Sequence, residues 1–224
     1  MRRFVLGLAL PLLFQAAGSC LIWAMDVVDE FEEPVLNEAW TWSAHPAITY
    51  SLTLNGGCLS VDIPDDRPYD IWSNNVYDGM LLLRHDQGEG DWLAETRFRV
   101  KARGDGFQVG LVVWSNPYAM YFWTLERGVN KKNFKLSGEP LGITDFNSIK
   151  KSQGIDIDNE VVLRVEKIHK TLQLQYWDAE TQTFETYETY NFKFPVNGVG
   201  LAARTFSPKG ARLNITFDYF KLVK

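Results

Sequence analysis

The chain has 224 residues, 46% of them apolar and 14% aromatic, and a net charge of −5. That length and apolar fraction suffice for one large buried core, and a β-sandwich of about 200 residues commonly forms a single domain. The Lys and Arg residues read as scattered, without the basic stripe of a nucleic-acid groove, so that class of partner is excluded.

In chain order, Arg2-Arg3 precede an apolar run from Phe4 to Phe14 and a small-residue stretch, Gln15-Ala16-Ala17-Gly18-Ser19-Cys20. This is the order of a secretory signal, and the run is too short for a mature membrane span, which needs about 20 residues. Residues 1–19 are therefore expected to be removed. Two processing routes stay open: ordinary cleavage after Ser19, or lipidation of Cys20, because Ala17-Gly18-Ser19-Cys20 resembles a bacterial lipobox. Either predicts export, with the protein secreted or held at the cell envelope through the lipid as its one membrane contact. Cys58, the second of two cysteines, then has no partner and is expected to pack as a small apolar residue; no disulfide scaffold or zinc framework follows.

The remainder, 26–224, reads as one all-β domain. Val27 to Phe31 is a first short strand, broken at Glu32-Glu33-Pro34, and Trp40-Thr41-Trp42 falls in an irregular segment. Tyr50 to Leu54 and Cys58 to Ile63 flank the hairpin turn Asn55-Gly56-Gly57. Pro64 to Gly79 is a long loop rich in aromatic and polar groups, a composition frequent at functional sites. Strands follow at Met80 to Arg84, Asp91 to Ala102, Gly106 to Trp114, Ala119 to Glu126, Asn133 to Leu136, Glu160 to Lys167, Thr171 to Trp177, Thr183 to Tyr190, Val199 to Thr205 and Arg212 to Leu222. The gaps between most neighbours are too short for parallel crossovers, so the strands are antiparallel. About a dozen of them in one domain predict two stacked sheets, a jelly-roll sandwich.

Alternation sorts the faces. Trp92, Ala94, Thr96, Phe98 and Val100 share one side of their strand, and Phe107, Val109, Leu111 and Val113 one side of the next. The opposite rows suggest a curved open face bearing Glu95, Arg97, Gln108, Trp114 and Arg204, suited to a polyhydroxylated ligand.

Three segments together resemble the concanavalin A-like domain at the C-terminus of family 43 β-xylosidases. Asp29-Glu30-Phe31 with Leu36 and Trp40 looks like its opening strand and tryptophan. Leu81 to Arg84, Asp91 to Phe98, and Gln108 to Trp114 with Tyr121 look like its central sheet. Leu163-Arg164-Val165-Glu166 and Phe217-Asp218-Tyr219-Phe220 look like its last third. The likeness implies a concanavalin A-like sandwich over roughly residues 27 to 223 and, by analogy of fold, carbohydrate binding.

The site residues expected for such a ligand are Tyr69, Trp72 and Trp114 as stacking rings, with Arg84, Arg97 and Gln108 reading hydroxyls. Asp29 and Asp218, on first and last strands that neighbour each other in a jelly roll, are expected to be drawn together by a structural calcium; the simpler reading is that each caps a turn or pairs with a cation. The function expected is a non-catalytic, monomeric glycan binder. Two alternatives stand beside it. One is a hydrolase using Glu95 and Glu126, although no catalytic Glu-x-Asp-x-x-Glu run occurs; the other is an envelope interaction module without sugar specificity.

Overall fold

A computed structural model describes residues 26–71, 77–141, 160–192 and 194–224; the signal segment, Cys20 and Trp72 lie outside the described residues. Among these residues there are fourteen strands. The first five are β1 (Val27–Asp29), β2 (Trp40–Ser43), β3 (Thr49–Ser51), β4 (Leu59–Ile63) and β5 (Met80–Arg84). Then come β6 (Trp92–Arg103), β7 (Phe107–Asn116), β8 (Ala119–Arg127), β9 (Lys135–Leu141) and β10 (Glu160–Ile168). The last four are β11 (Thr171–Asp178), β12 (Thr183–Asn191), β13 (Gly198–Thr205) and β14 (Arg212–Val223).

They form two antiparallel sheets. Sheet A runs β12-β11-β10-β6-β14-β4-β3, and β1 joins the same edge of β14 as β4, opposite Phe220 to Leu222. Sheet B runs β2-β5-β13-β7-β8-β9. The core between them is the alternating set read from the sequence: Trp92, Ala94, Phe98 and Val100 of β6 meet Phe107, Val109, Leu111 and Val113 of β7. Trp123, with no exposed surface, closes the layers by donating its indole N–H to the Gln175 carbonyl at 2.8 Å. Each such buried ring contributes roughly 2–3 kcal/mol.

Two local readings change. Trp40-Thr41-Trp42 is not irregular: it is β2, paired with β5 through Trp40↔Arg84 and Trp42↔Leu82. Its alternation puts both indoles inward and Thr41 out, but the segment is too short for a period to stand out. β9 continues through Glu139-Pro140 to Leu141, where the sequence suggests an end at Leu136. As the edge strand of sheet B it tolerates a proline that lacks an N–H to donate.

The outer face of sheet B does not form an open hollow along its whole length. Leu81, Leu83, Val112, Met120, Phe122, Leu141 and Ala202 point outward from this sheet, yet all are buried as a second apolar cluster. Ile71 and Tyr77, from the 64–79 loop, pack over it. Through these two side chains the described part of the loop expected to bind a ligand covers the middle of the sheet.

Candidate functional site

At one end of that face a polar row crosses four strands. Arg204 of β13 lies opposite Gln108 of β7, Gln108 opposite Glu126 of β8, and Glu126 opposite Lys135 of β9. Directly opposed residues of antiparallel strands project to the same side, so the register alone assembles the row. Arg204 Nε donates to Gln108 Oε1 at 2.8 Å, Nη2 to Glu139 Oε2 at 2.8 Å, and Nη1 to Asp70 Oδ1 at 3.1 Å. Gln108 Nε2 donates to Glu126 Oε2 and to Glu139 Oε2, both at 2.8 Å. Lys135 Nζ sits 3.1 Å from Glu126 Oε1. The Phe122 and Phe206 rings flank the Arg204 guanidinium at 5.5 and 5.3 Å.

Gln108 and Arg204 are buried, whereas the Asp70 and Glu139 side chains keep 25% and 20% of their surface, so the carboxylates are where a ligand can reach the network. Asp70 also anchors the roofing loop: its Oδ1 accepts from the Ile71 N–H, and its carbonyl accepts from the Asp78 and Gly79 N–H groups.

Glu126 and Glu139 accept from one nitrogen, which brings them close enough to compare with a retaining glycosidase pair, whose carboxyls stand about 5–5.5 Å apart. Two features oppose that chemistry. The Gln108 amide lies between the two carboxylates, where a scissile bond would sit, and Glu126 is not set up as an acid. Burial pushes the Glu126 carboxyl up, but hydrogen bonds from Gln108, Lys135 and Ser137 and the Lys135 charge outweigh it and hold it below the ordinary range. A general acid requires the reverse shift. The accessible carboxylate oxygens of the network can accept hydrogen bonds from hydroxyl groups.

At the other end of the face stands an aromatic rim. Trp114 is half-buried at the end of β7, with the His85 ring edge-on at 5.6 Å. Asn197 holds the rim: its N–H donates to the Trp114 carbonyl at 2.9 Å, its side chain to the Ser115 carbonyl at 2.7 Å, and its own carbonyl lies 2.6 Å from His85 Nδ1. Tyr118, in the β7–β8 turn, is 67% exposed, and its N–H donates to Asn116 Oδ1 at 2.8 Å. The Tyr77 hydroxyl donates to the Pro117 carbonyl, which ties the roofing loop to the rim.

The expected site residues therefore separate. Gln108 and Trp114 lie on the outer face of sheet B, at its two ends. Tyr69 does not offer a stacking face: it has no exposed surface, its hydroxyl donates to Asp66 at 2.7 Å, and burial pushes its phenol up to about 12. Arg84 points between the sheets, not onto the open face; it is buried over the Trp40 ring and forks onto Asp86 at 3.0 and 2.7 Å. Arg97 and Glu95 lie on the outer face of sheet A, across the core from Gln108. Arg97 pairs with Asp218 at 2.8 Å, and Glu95 accepts from Arg164 and the Tyr219 hydroxyl. The open face imagined from alternation is thus two faces, because period two cannot tell which sheet a strand joins.

The same geometry corrects the hydrolase pair: Glu95 and Glu126 face away from each other on different sheets, whose mid-planes stack about 10 Å apart. It also corrects the calcium pair. β1 and β14 are neighbours as expected, but Asp29 turns inward, accepting from the Phe31 N–H at 2.9 Å and the Trp40 indole at 2.7 Å. Asp218 turns outward to Arg97 and, at 3.8 Å, the Cys58 thiol. Carboxylates on opposite sides of one sheet do not share an ion. Cys58 is half-buried, and burial, then the Asp218 charge, raises its thiol.

Glu139 and Asp70 complete the network end without having been singled out as site residues. Glu139 was hidden by the proline that seemed to end its strand, and Asp70 by lying in a loop whose partner is 134 residues away.

The family model for the β-xylosidase C-terminal concanavalin A-like domain matches residues 28–222. Among proteins of curated function none matches. Of solved structures, the GH43B protein of the Bacteroides ovatus xyloglucan PUL superposes with a TM-score of 0.67 at 18% identity, over 88% of this chain and 38% of that one. The xylan β-1,4-xylosidase from Bacillus halodurans gives 0.65 at 18% identity, over 88% and 39%. A functionally unknown protein from Saccharomyces cerevisiae gives 0.61 at 16% identity, over 83% and 96%. The chain thus spans about two-fifths of the two bacterial proteins and nearly the whole of the yeast one.

Proposed function

Since this chain belongs to the family of β-xylosidase C-terminal concanavalin A-like domains, we propose that it is a non-catalytic carbohydrate-binding sandwich that grips glycan at the two ends of sheet B's outer face. The aromatic rim supplies the ring contact, with Tyr118 lying across a sugar face beside Trp114. The network end supplies acceptors, the partly exposed carboxylates of Asp70 and Glu139, for sugar hydroxyls. The roofed middle serves as a rigid spacer between them. Carrying the reading is one observation: a ring 67% exposed on a loop whose neighbours are all pinned by hydrogen bonds. An exposed aromatic on a preorganised turn is what a binding surface needs, because little entropy is lost when a ligand arrives.

The relatives' names, a xylan β-1,4-xylosidase and a xyloglucan-locus protein, make xylan and xyloglucan oligosaccharides the first probes. Titration calorimetry should show binding that weakens by about tenfold in Tyr118→Ala, the scale of one lost interfacial anchor. No reducing ends should be released on prolonged incubation. A folded wild-type protein that binds neither oligosaccharide would defeat the reading and leave the envelope interaction module in its place. Export through the N-terminal segment, with or without a lipid on Cys20, belongs to the same proposal, and mass spectrometry of the mature N-terminus tests it.

A further inference from the structure

The polar row does not stop at Lys135. The end of β8 and the β8–β9 connection just before it carry Arg127, Lys131 and Lys132, so four cations fall within residues 127–135 with no acidic residue among them. In a chain of net charge −5 this is a local reversal, and it corrects the reading of the cations as scattered. An open cavity of about 520 Å³ is lined by this segment, including Lys131, Lys132 and Lys135.

The segment is held in shape. Arg127 lies 4.3 Å over the Phe134 ring, and its Nη1 donates to the Gly104 carbonyl. Asn130 takes a left-handed conformation at φ 59°, with its N–H on Asp105 at 2.8 Å, and the Lys131 N–H closes the turn on the Gly128 carbonyl at 3.0 Å. Lys135 is neutralised by Glu126, whereas among the described residues Lys131 and Lys132 form no ion pair, and both are exposed. Two ammonium groups with no ion pair among the described residues therefore line a cavity that also includes Lys135 of the network.

We propose that this loop is an anion-binding wall of the network end, taking the carboxylates of a uronic-acid-bearing polysaccharide. The inference rests on the function proposed above and names its substrate class. The backbone hydroxyls meet Asp70 and Glu139, while a charged sugar substituent meets Lys131 and Lys132. Lysine suits the task because its flexible point charge follows a mobile substituent, where an arginine fork requires a fixed one.

The test compares glucuronoxylan with its carboxyl-reduced form, which shares the same backbone, and adds polygalacturonate as a sugar carboxylate on an unrelated one. Wild-type protein should bind native glucuronoxylan about tenfold more tightly than the reduced polymer at low salt, as two modest exposed ion pairs allow. The difference should vanish at high ionic strength, where exposed charges are screened. The K131Q/K132Q double variant should bring the native polymer down to the affinity of the reduced one. Equal affinities in the wild type, or a preference that survives in the double variant, overturns the proposal while leaving glycan binding intact. Binding of polygalacturonate alone, lost in the double variant, upholds the loop and sinks the xylan-type reading; binding of none of the three overturns both.

Discussion

Arg204 donates to Gln108, Asp70 and Glu139 with three different nitrogens, so it satisfies groups from two strands and a loop at once. Replacing it by Met keeps the bulk against Phe122 and Phe206 but strands two carboxylates and an amide oxygen. Breaking a buried pair by removing one partner costs about 3–5 kcal/mol, and urea denaturation of R204M should show a loss of that order. R204K should recover only a minor part, because an ammonium cannot reach three acceptors in fork geometry. Glu126 gives the acid-side signature. Its folded pKa is depressed below 4.5, so its contribution is complete above the unfolded value and is lost as pH falls through the folded one. Stability of E126Q measured across pH 3–6 should accordingly fall less steeply below about pH 4.5 than that of the wild type; identical slopes would remove Glu126 from the acid response.

At the level of elements, the centre of sheet B has no room to spare. A Cβ at Gly200, on β13 between β5 and β7, would run into the Leu82 carbonyl, which is backbone and cannot rotate away. Gly200→Ala should therefore cost more than about 2 kcal/mol, an overpacking effect, and calorimetry would register a lowered Tm. The 64–79 loop makes the opposite kind of prediction. Ile71 is buried over outward-pointing leucines, so Ile71→Asp puts a charge on an apolar seat and lifts the roof. The variant should bind ANS in native buffer, where the wild type does not, with far-UV circular dichroism unchanged. A loop that merely lay alongside the sheet would give no such signal.

For the whole molecule, one core carries both layers, from Phe31 and Trp40 at one end through Trp123 to the residues of β14. Neither sheet keeps its inner face buried without the other. Unfolding followed by Trp fluorescence and by far-UV circular dichroism should therefore give superimposable transitions; two separated midpoints would show that the sheets melt independently. The charge distribution adds to this picture. A net-acidic chain with a basic segment at residues 127–135 presents oriented, not uniform, electrostatics to an incoming polyanion, and such a field acts on encounter as well as on affinity.

Strand identity, antiparallel pairing and the inward rows of β6 and β7 were legible in the sequence, because period two is a local property and turns mark its ends. So was the adjacency of the first and last strands, which a jelly-roll sandwich implies. Which sheet each strand joins was not, since alternation is identical in both layers; Arg97 and Gln108 looked like neighbours and face away from each other. Nor was the role of the 64–79 loop legible, because its composition resembles that of a binding loop whether its apolar members turn out to solvent or down onto Leu81 and Leu83. The chain by itself determined a two-layer sandwich and the residue types available to a site. Only tertiary structure decided that Arg204, Gln108, Glu126 and Glu139 meet, for their proximity depends on register across strands up to 96 residues apart, and register is set by packing of the whole core.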